Sequence, residues 1–166
     1  MRKFILLAAC LFVATSAFAQ SLSSADFVTQ AVTGDMFEIE SSKLATQKGD
    51  ANAGAFVSKI AKDHTEAFAE LKSLVDSGKV KAVLPASIDK PHQEKLDKLA
   101  ALKGGDFDRN FLEIQVNAHK EAIPLFERYS KEGDNDALKA FAAKYLPRLQ
   151  EHLKMARDLQ QAIMQE

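Results

Sequence analysis

The chain has 166 residues, 46% hydrophobic and 27% charged, with a formal charge of −1. Acidic and basic residues are interspersed without a long run of either sign, which speaks against a nucleic-acid footprint or an anionic-membrane patch. The length suits one domain with a substantial core.

Met1-Arg2-Lys3 forms a short positive start and Phe4 to Val13 an apolar run too short to span a bilayer. Ala17-Phe18-Ala19 has the small-x-small pattern that a signal peptidase accepts. Residues 1–19 are therefore expected to be a cleaved leader, and residues 20–166 one exported, periplasmic domain. A second reading takes Leu7-Ala8-Ala9-Cys10 as a lipoprotein box, which would leave the protein tethered through a lipid on Cys10. Cleavage after Ala19 removes the one cysteine, and with it any disulfide, thiolate metal site or redox dithiol. It also removes Arg2 and Lys3, which takes the formal charge from −1 to −3. No later segment approaches the apolar length of a transmembrane helix.

Ser23 followed by Asp26 makes a capping-box-like start, and Phe27, Val28, Ala31, Val32 and Ile39 recur at helical spacing, predicting a first helix over 24–48 that Gly49 closes. Asp50 is placed to cap the second. There Phe56, Val57, Ile60, Ala67, Phe68, Leu71 and Leu74 hold one face before Gly78. Lys79 to Gly105 reads as a long connection containing a short helix, opened by Asp89 and Pro91, ended by Gly104-Gly105, and striped by Leu96, Leu99 and Leu102. Asp106 is expected to open a third long helix ending at Gly133. A fourth starts near Asp134 or Asn135 and carries Leu138, Phe141, Tyr145, Leu149, Leu153 and Leu159 on one side. Pro124 and Pro147 fall inside the third and fourth helices, where each removes an amide donor and predicts a kink. The pattern is all-α: a four-helix bundle whose long connection either runs the length of the bundle, as in ferritin-like folds, or caps one end.

His64, His119 and His152 lie one each near the middle of the second, third and fourth long helices, on or beside the apolar arc, while His92 belongs to the connection. Asp35 sits at about the level of His64 and Glu38 about one turn away, so either could complete a ligand set. Two readings stand. In one, His64, His119 and His152 with Asp35 or Glu38 bind a divalent transition metal, since imidazole suits zinc, copper, iron or nickel. In the other, they are half-buried core residues satisfied by neighbours such as Gln115. Nearest ring nitrogens more than roughly 6 Å apart would rule out one ion shared by all three. Di-iron bundles use Glu-x-x-His, whereas the positions three before these histidines are Ala61, Val116 and Leu149. A ferritin-type oxidase centre is not expected. Asp35 and Lys43 lie near the apolar arc and could join a buried ionic network with the histidines; Glu40 points further out, and Asp63 is placed to orient His64 or close a helix end. A pocket for a small apolar ligand, lined by Phe56, Phe68, Phe111, Phe126 and Phe141, is a third reading, with plain core as its alternative. Enzyme readings lack a nucleophile: no phosphate loop, nucleophile elbow or Ser-His-Asp arrangement is present.

Phe27-Val28, Glu38-Ile39-Glu40, Lys43-Leu44-Ala45, Asp63-His64-Thr65, Phe107-Asp108, His119, Leu146-Pro147 and His152-Leu153 together resemble the bacterial domain-of-unknown-function family 4142. The resemblance covers nearly all of the chain after the leader. It implies an exported protein with a ferritin-like four-helix fold, in which Glu38, Glu40, His64, His119 and His152 match polar family positions, and it brings no established activity. Family members are often labelled predicted outer membrane proteins. Amphipathic helices with mixed-charge outer faces suit the periplasm better, with Cys10 lipidation as the route to a membrane. The functional expectation is a non-catalytic exported bundle with an envelope protein partner, the alternative being a metal-binding or metal-linked redox protein.

Overall fold

A computed structural model describes residues 22–49 and 53–165. The expected leader, residues 1–19 with Cys10, and Asp50 lie outside the described residues. Five helices follow one another: α1 (Ser24–Lys48), α2 (Gly54–Asp76), α3 (Lys90–Ala101), α4 (Gly104–Glu132) and α5 (Asp136–Ile163). No strand occurs among the described residues.

Local chemistry sets most of the helix ends. Ser23 caps α1: its Oγ accepts from the Asp26 amide at 3.1 Å and donates to the Asp26 carboxylate at 2.7 Å. Asp89 caps α3 through the His92 amide at 2.9 Å, and Asn135 caps α5 through the Leu138 amide at 3.1 Å. The N-cap of α2 is Ala53, with no side-chain hydrogen bond. Gly78 ends α2 in the left-handed region at φ 72°, and the Val80 amide turns back to the Leu74 carbonyl.

The boundary between α3 and α4 departs from expectation. Leu102 terminates α3, its amide bonding the Leu99 carbonyl at 3.1 Å. Gly104-Gly105 do not stop that helix; they begin α4, two residues before Asp106, which lies in its first turn. Gly104 has φ 53°, so it can reverse the chain from α3 into α4 within two linking residues, at a position where a side chain would be strained. α4 and α5 run through Pro124 and Pro147 as continuous helices.

The helices pack as a bundle in which α1 lies against α2 and α4, and α5 against α4 and α2, with α3 laid along α1. Two apolar clusters fill its ends. One joins Phe27 and Val32 at the start of α1 to Leu71 late in α2, Phe126 and Tyr129 late in α4 and Phe141 early in α5. The other joins Ala45, Phe56, Ile60, Phe107, Phe111 and Ala156. α2 and α4 therefore run in the same direction, and the connection between them travels the length of the bundle: Val80 belongs to the first cluster and Leu99 to the second. Between the clusters lies a buried polar layer. It contains Asp35, Glu38, Ser41 and Ser42 of α1, Asp63 and His64 of α2, Gln115 and His119 of α4, and His152 of α5.

Phe56 and Phe111 belong to one apolar cluster and Phe126 and Phe141 to the other, so these rings do not line a common pocket. No helix among the described residues is long and apolar enough to cross a membrane.

Candidate metal centre

Helical periodicity brings the three rings to one level. His64 lies one turn from Ile60 and three residues before Ala67, and His152 falls between Leu149 and Ala156, all buried positions on the inward face of their helices. The ring centroids form a nearly equilateral triangle, with sides of 5.7 Å from His64 to His119, 5.5 Å from His64 to His152 and 5.3 Å from His119 to His152. One nitrogen from each ring lies within 4.8 Å of the other two. A single ion is therefore within reach of all three.

Each ring is also held from behind. His64 Nδ1 donates to Asp35 Oδ1 at 2.8 Å, His119 Nδ1 to the Gln115 carbonyl at 2.8 Å, and His152 Nε2 to Asp63 Oδ2 at 2.9 Å. A carbonyl can only accept, so His119 carries its proton on Nδ1 and presents a lone pair from Nε2. The carboxylate of Asp63 fixes His152 in the opposite tautomer, leaving the lone pair on Nδ1. Those two lone-pair nitrogens approach to 3.3 Å. The third inner nitrogen, His64 Nε2, is buried without a hydrogen-bond partner.

Protonation does not relieve this crowding. Burial, reinforced by the charge of His64, pushes the His119 ring down to about 3. Burial also pushes His152 down to about 4, against the opposing effect of the hydrogen bond it donates to Asp63. Both rings are neutral at physiological pH. For His64, burial is outweighed by the hydrogen bond and charge of Asp35 with the charges of Glu38 and Asp63, and its pKa lies above the ordinary histidine range. Asp35 is raised by its own burial, opposed by His64, so the pair keeps its shared proton to a higher pH than a free imidazole keeps its own.

The remaining predicted residues take distinct places. Asp35 sits behind His64, and Glu38 accepts from Gln115 Nε2 at 2.7 Å, which in turn reaches Ser41 Oγ at 3.3 Å. Lys43 is not part of a buried network: it is 60% exposed and pairs with Glu40 at 2.6 Å, because its position on α1 lies past the edge of the buried face. Asp63 orients His152, not His64. Lys59 and Arg148 make its other contacts at 3.1 and 3.3 Å. Burial would raise the Asp63 carboxyl, but the hydrogen bonds it accepts from His152 and Lys59, with their charges, hold it below the usual range. Lys59 and Arg148 were not singled out in the sequence: Lys59 stands four residues before Asp63, one turn along the same face, whereas Arg148 reaches Asp63 from α5, 85 positions away. The His92 ring lies tilted at 58° against Phe37 with centroids 5.0 Å apart, and its Nδ1 meets Asp89 Oδ1 at 2.6 Å.

Three inward imidazoles, each with an outer acceptor fixing its tautomer, define a helical bundle with a candidate metal centre in its polar middle layer. The chain belongs to the family DUF4142, a domain of unknown function, whose family model matches residues 12–159. No curated protein and no solved structure matches it.

Proposed function

We propose that this protein is an exported, ferritin-like four-helix bundle that binds one divalent transition metal ion through His64, His119 and His152. The observation that carries the reading is the meeting of three inner ring nitrogens. Two of them are unprotonated lone pairs 3.3 Å apart, and the third has no partner. Buried polar atoms are ordinarily satisfied, and a cation that displaces the proton from His64 Nε2 is the partner that would satisfy all three nitrogens at once. The outer acceptors supply the ring orientation and added basicity that metal-ligating histidines commonly have. Asp35 acts through His64, and Glu38 lies beside it on α1. The ferritin-like description is supported by the same-direction run of α2 and α4 with the long connection between them. Export is supported by the composition of residues 1–19.

Metal analysis of chain stripped with chelator and reloaded tests the reading. The expected result is one ion per chain in the wild type and loss of that ion in His119→Ala and His152→Ala. Failure of the wild type to take up zinc, copper, nickel, cobalt, manganese or iron(II) overturns it. A second reading, a non-catalytic protein acting on an envelope partner through its surface with the histidines as core, is supported by the outer hydrogen bond each ring already has. It predicts metal-free protein whose melting temperature is indifferent to chelator. The mass of the mature N-terminus tests export: it separates a start at Gln20 from a lipidated start at Cys10.

A further inference from the structure

A cavity of about 200 Å³ lies between α1 and α4 and ends against the histidine layer. Gln30, Asp89 and Glu121 stand at its solvent side, all exposed, and the buried Asp35, Glu38, His64 and His119 line its inner part. Two of these inner residues carry buried atoms without a partner, Asp35 Oδ2 and His64 Nε2. The cavity thus joins solvent to the place where hydrogen bonding is incomplete.

Gly34 lines the same cavity from the interior of α1. A glycine inside a helix costs roughly 0.5–1 kcal/mol relative to alanine. Close helix packing is the usual structural reason for one, and it does not apply here: a Cβ built at Gly34 meets nothing within 4 Å. What the missing side chain provides is space, opposite Ala118 and Ala122 of α4, which also line the cavity.

We propose that this cavity is a ligand pocket of the metal centre, admitting a small neutral molecule with an N–H or O–H group that coordinates the bound ion and donates a hydrogen bond to Asp35. The proposal rests on the metal-binding reading above. Three protein ligands leave a fourth position open, the arrangement of catalytic rather than structural zinc sites. The volume limits the ligand to a few non-hydrogen atoms. Asp35 and Glu38 disfavour an anion in the inner part of the cavity, and the unpartnered Asp35 Oδ2 calls for a donor.

Cobalt(II)-loaded full chain titrated with imidazole tests this, with the visible cobalt bands as readout and cobalt content measured after each step. Imidazole should shift the bands saturably with one cobalt retained per chain. Gly34→Leu should raise the half-saturating concentration at least tenfold while leaving cobalt content unchanged. Ala118→Leu obstructs the pocket from the opposite wall and is expected to do the same, so the question survives if one variant fails to fold. Bands unmoved by imidazole, cobalt extracted in place of a shift, unchanged titration in both folded variants, or a response to azide without one to imidazole would each overturn the pocket with metal binding intact. Absence of cobalt binding overturns the metal-binding reading itself.

Discussion

The rings of His119 and His152 meet through nitrogens that both lack a proton, because the Gln115 carbonyl and the Asp63 carboxylate claim the protons on the far sides. The outer acceptors therefore control what the inner nitrogens can bind. Asp63→Asn and Asp35→Asn keep the shape of each side chain but weaken its hold on the ring, and each is expected to lower metal affinity about 10- to 100-fold in calorimetric titration. Affinity unchanged in both would remove the tautomer-fixing role. A second consequence concerns acid. His119 titrates near 6.5 when unfolded and at about 3 when folded, so the unfolded chain binds the proton first. The stability this contributes is complete above pH 6.5 and is lost as pH falls toward 3. In metal-free protein, His119→Leu should therefore make the fall in stability below pH 6.5 shallower by roughly 1 kcal/mol per pH unit. Urea unfolding between pH 7.5 and 4.5 reads this, and parallel curves for the two proteins would contradict it.

Element ends combine local chemistry with long-range packing, and the corner between α4 and α5 shows both. Tyr129 is fully buried, stacks on Phe27 with centroids 4.1 Å apart and donates to Asp134 Oδ1 at 2.8 Å. Gly133 follows with an ordinary extended backbone, yet a Cβ there would lie 2.4 Å from the Tyr129 ring. The glycine is required by crowding, not by φ. Gly133→Ala must displace a buried aromatic ring, and a loss of about 1–3 kcal/mol is expected in urea unfolding; a neutral result would mean the ring has room to move. The first helix was legible from residue spacing because Ser23, Asp26 and Gly49 are local signals, and α1 spans Ser24–Lys48 as read. The start of α4 was misplaced because Gly104 both reverses the chain out of α3 and begins α4, where two helices packed on α1 meet, a tertiary demand that no local pattern encodes. Inward histidines were legible from helical phase. The partnership of Asp63 with His152, 89 positions away, was not, since it depends on α2 and α5 being neighbours.

At the scale of the molecule, the polar layer sits where two apolar clusters leave the middle of the bundle unfilled by hydrophobic side chains. A buried layer with incomplete hydrogen bonding is a cost to the metal-free fold, since each unpartnered atom loses its water without replacement. Its three histidines come from α2, α4 and α5, which span both antiparallel pairs and lie on either side of the long connection. An ion bound by all three ties these helices together only when they are packed, so it binds the folded state and not the unfolded chain. At free metal one hundred times Kd, this linkage contributes about 2.7 kcal/mol. For a chain of this size that amounts to a rise in Tm on the order of 5–10 °C. Thermal melts with and without chelator should show the shift in wild type and lose it in His152→Ala. Gly34→Leu should retain it, because that substitution narrows the cavity without removing a ligand. A shift that persists in His152→Ala would place the stabilising ion elsewhere on the molecule.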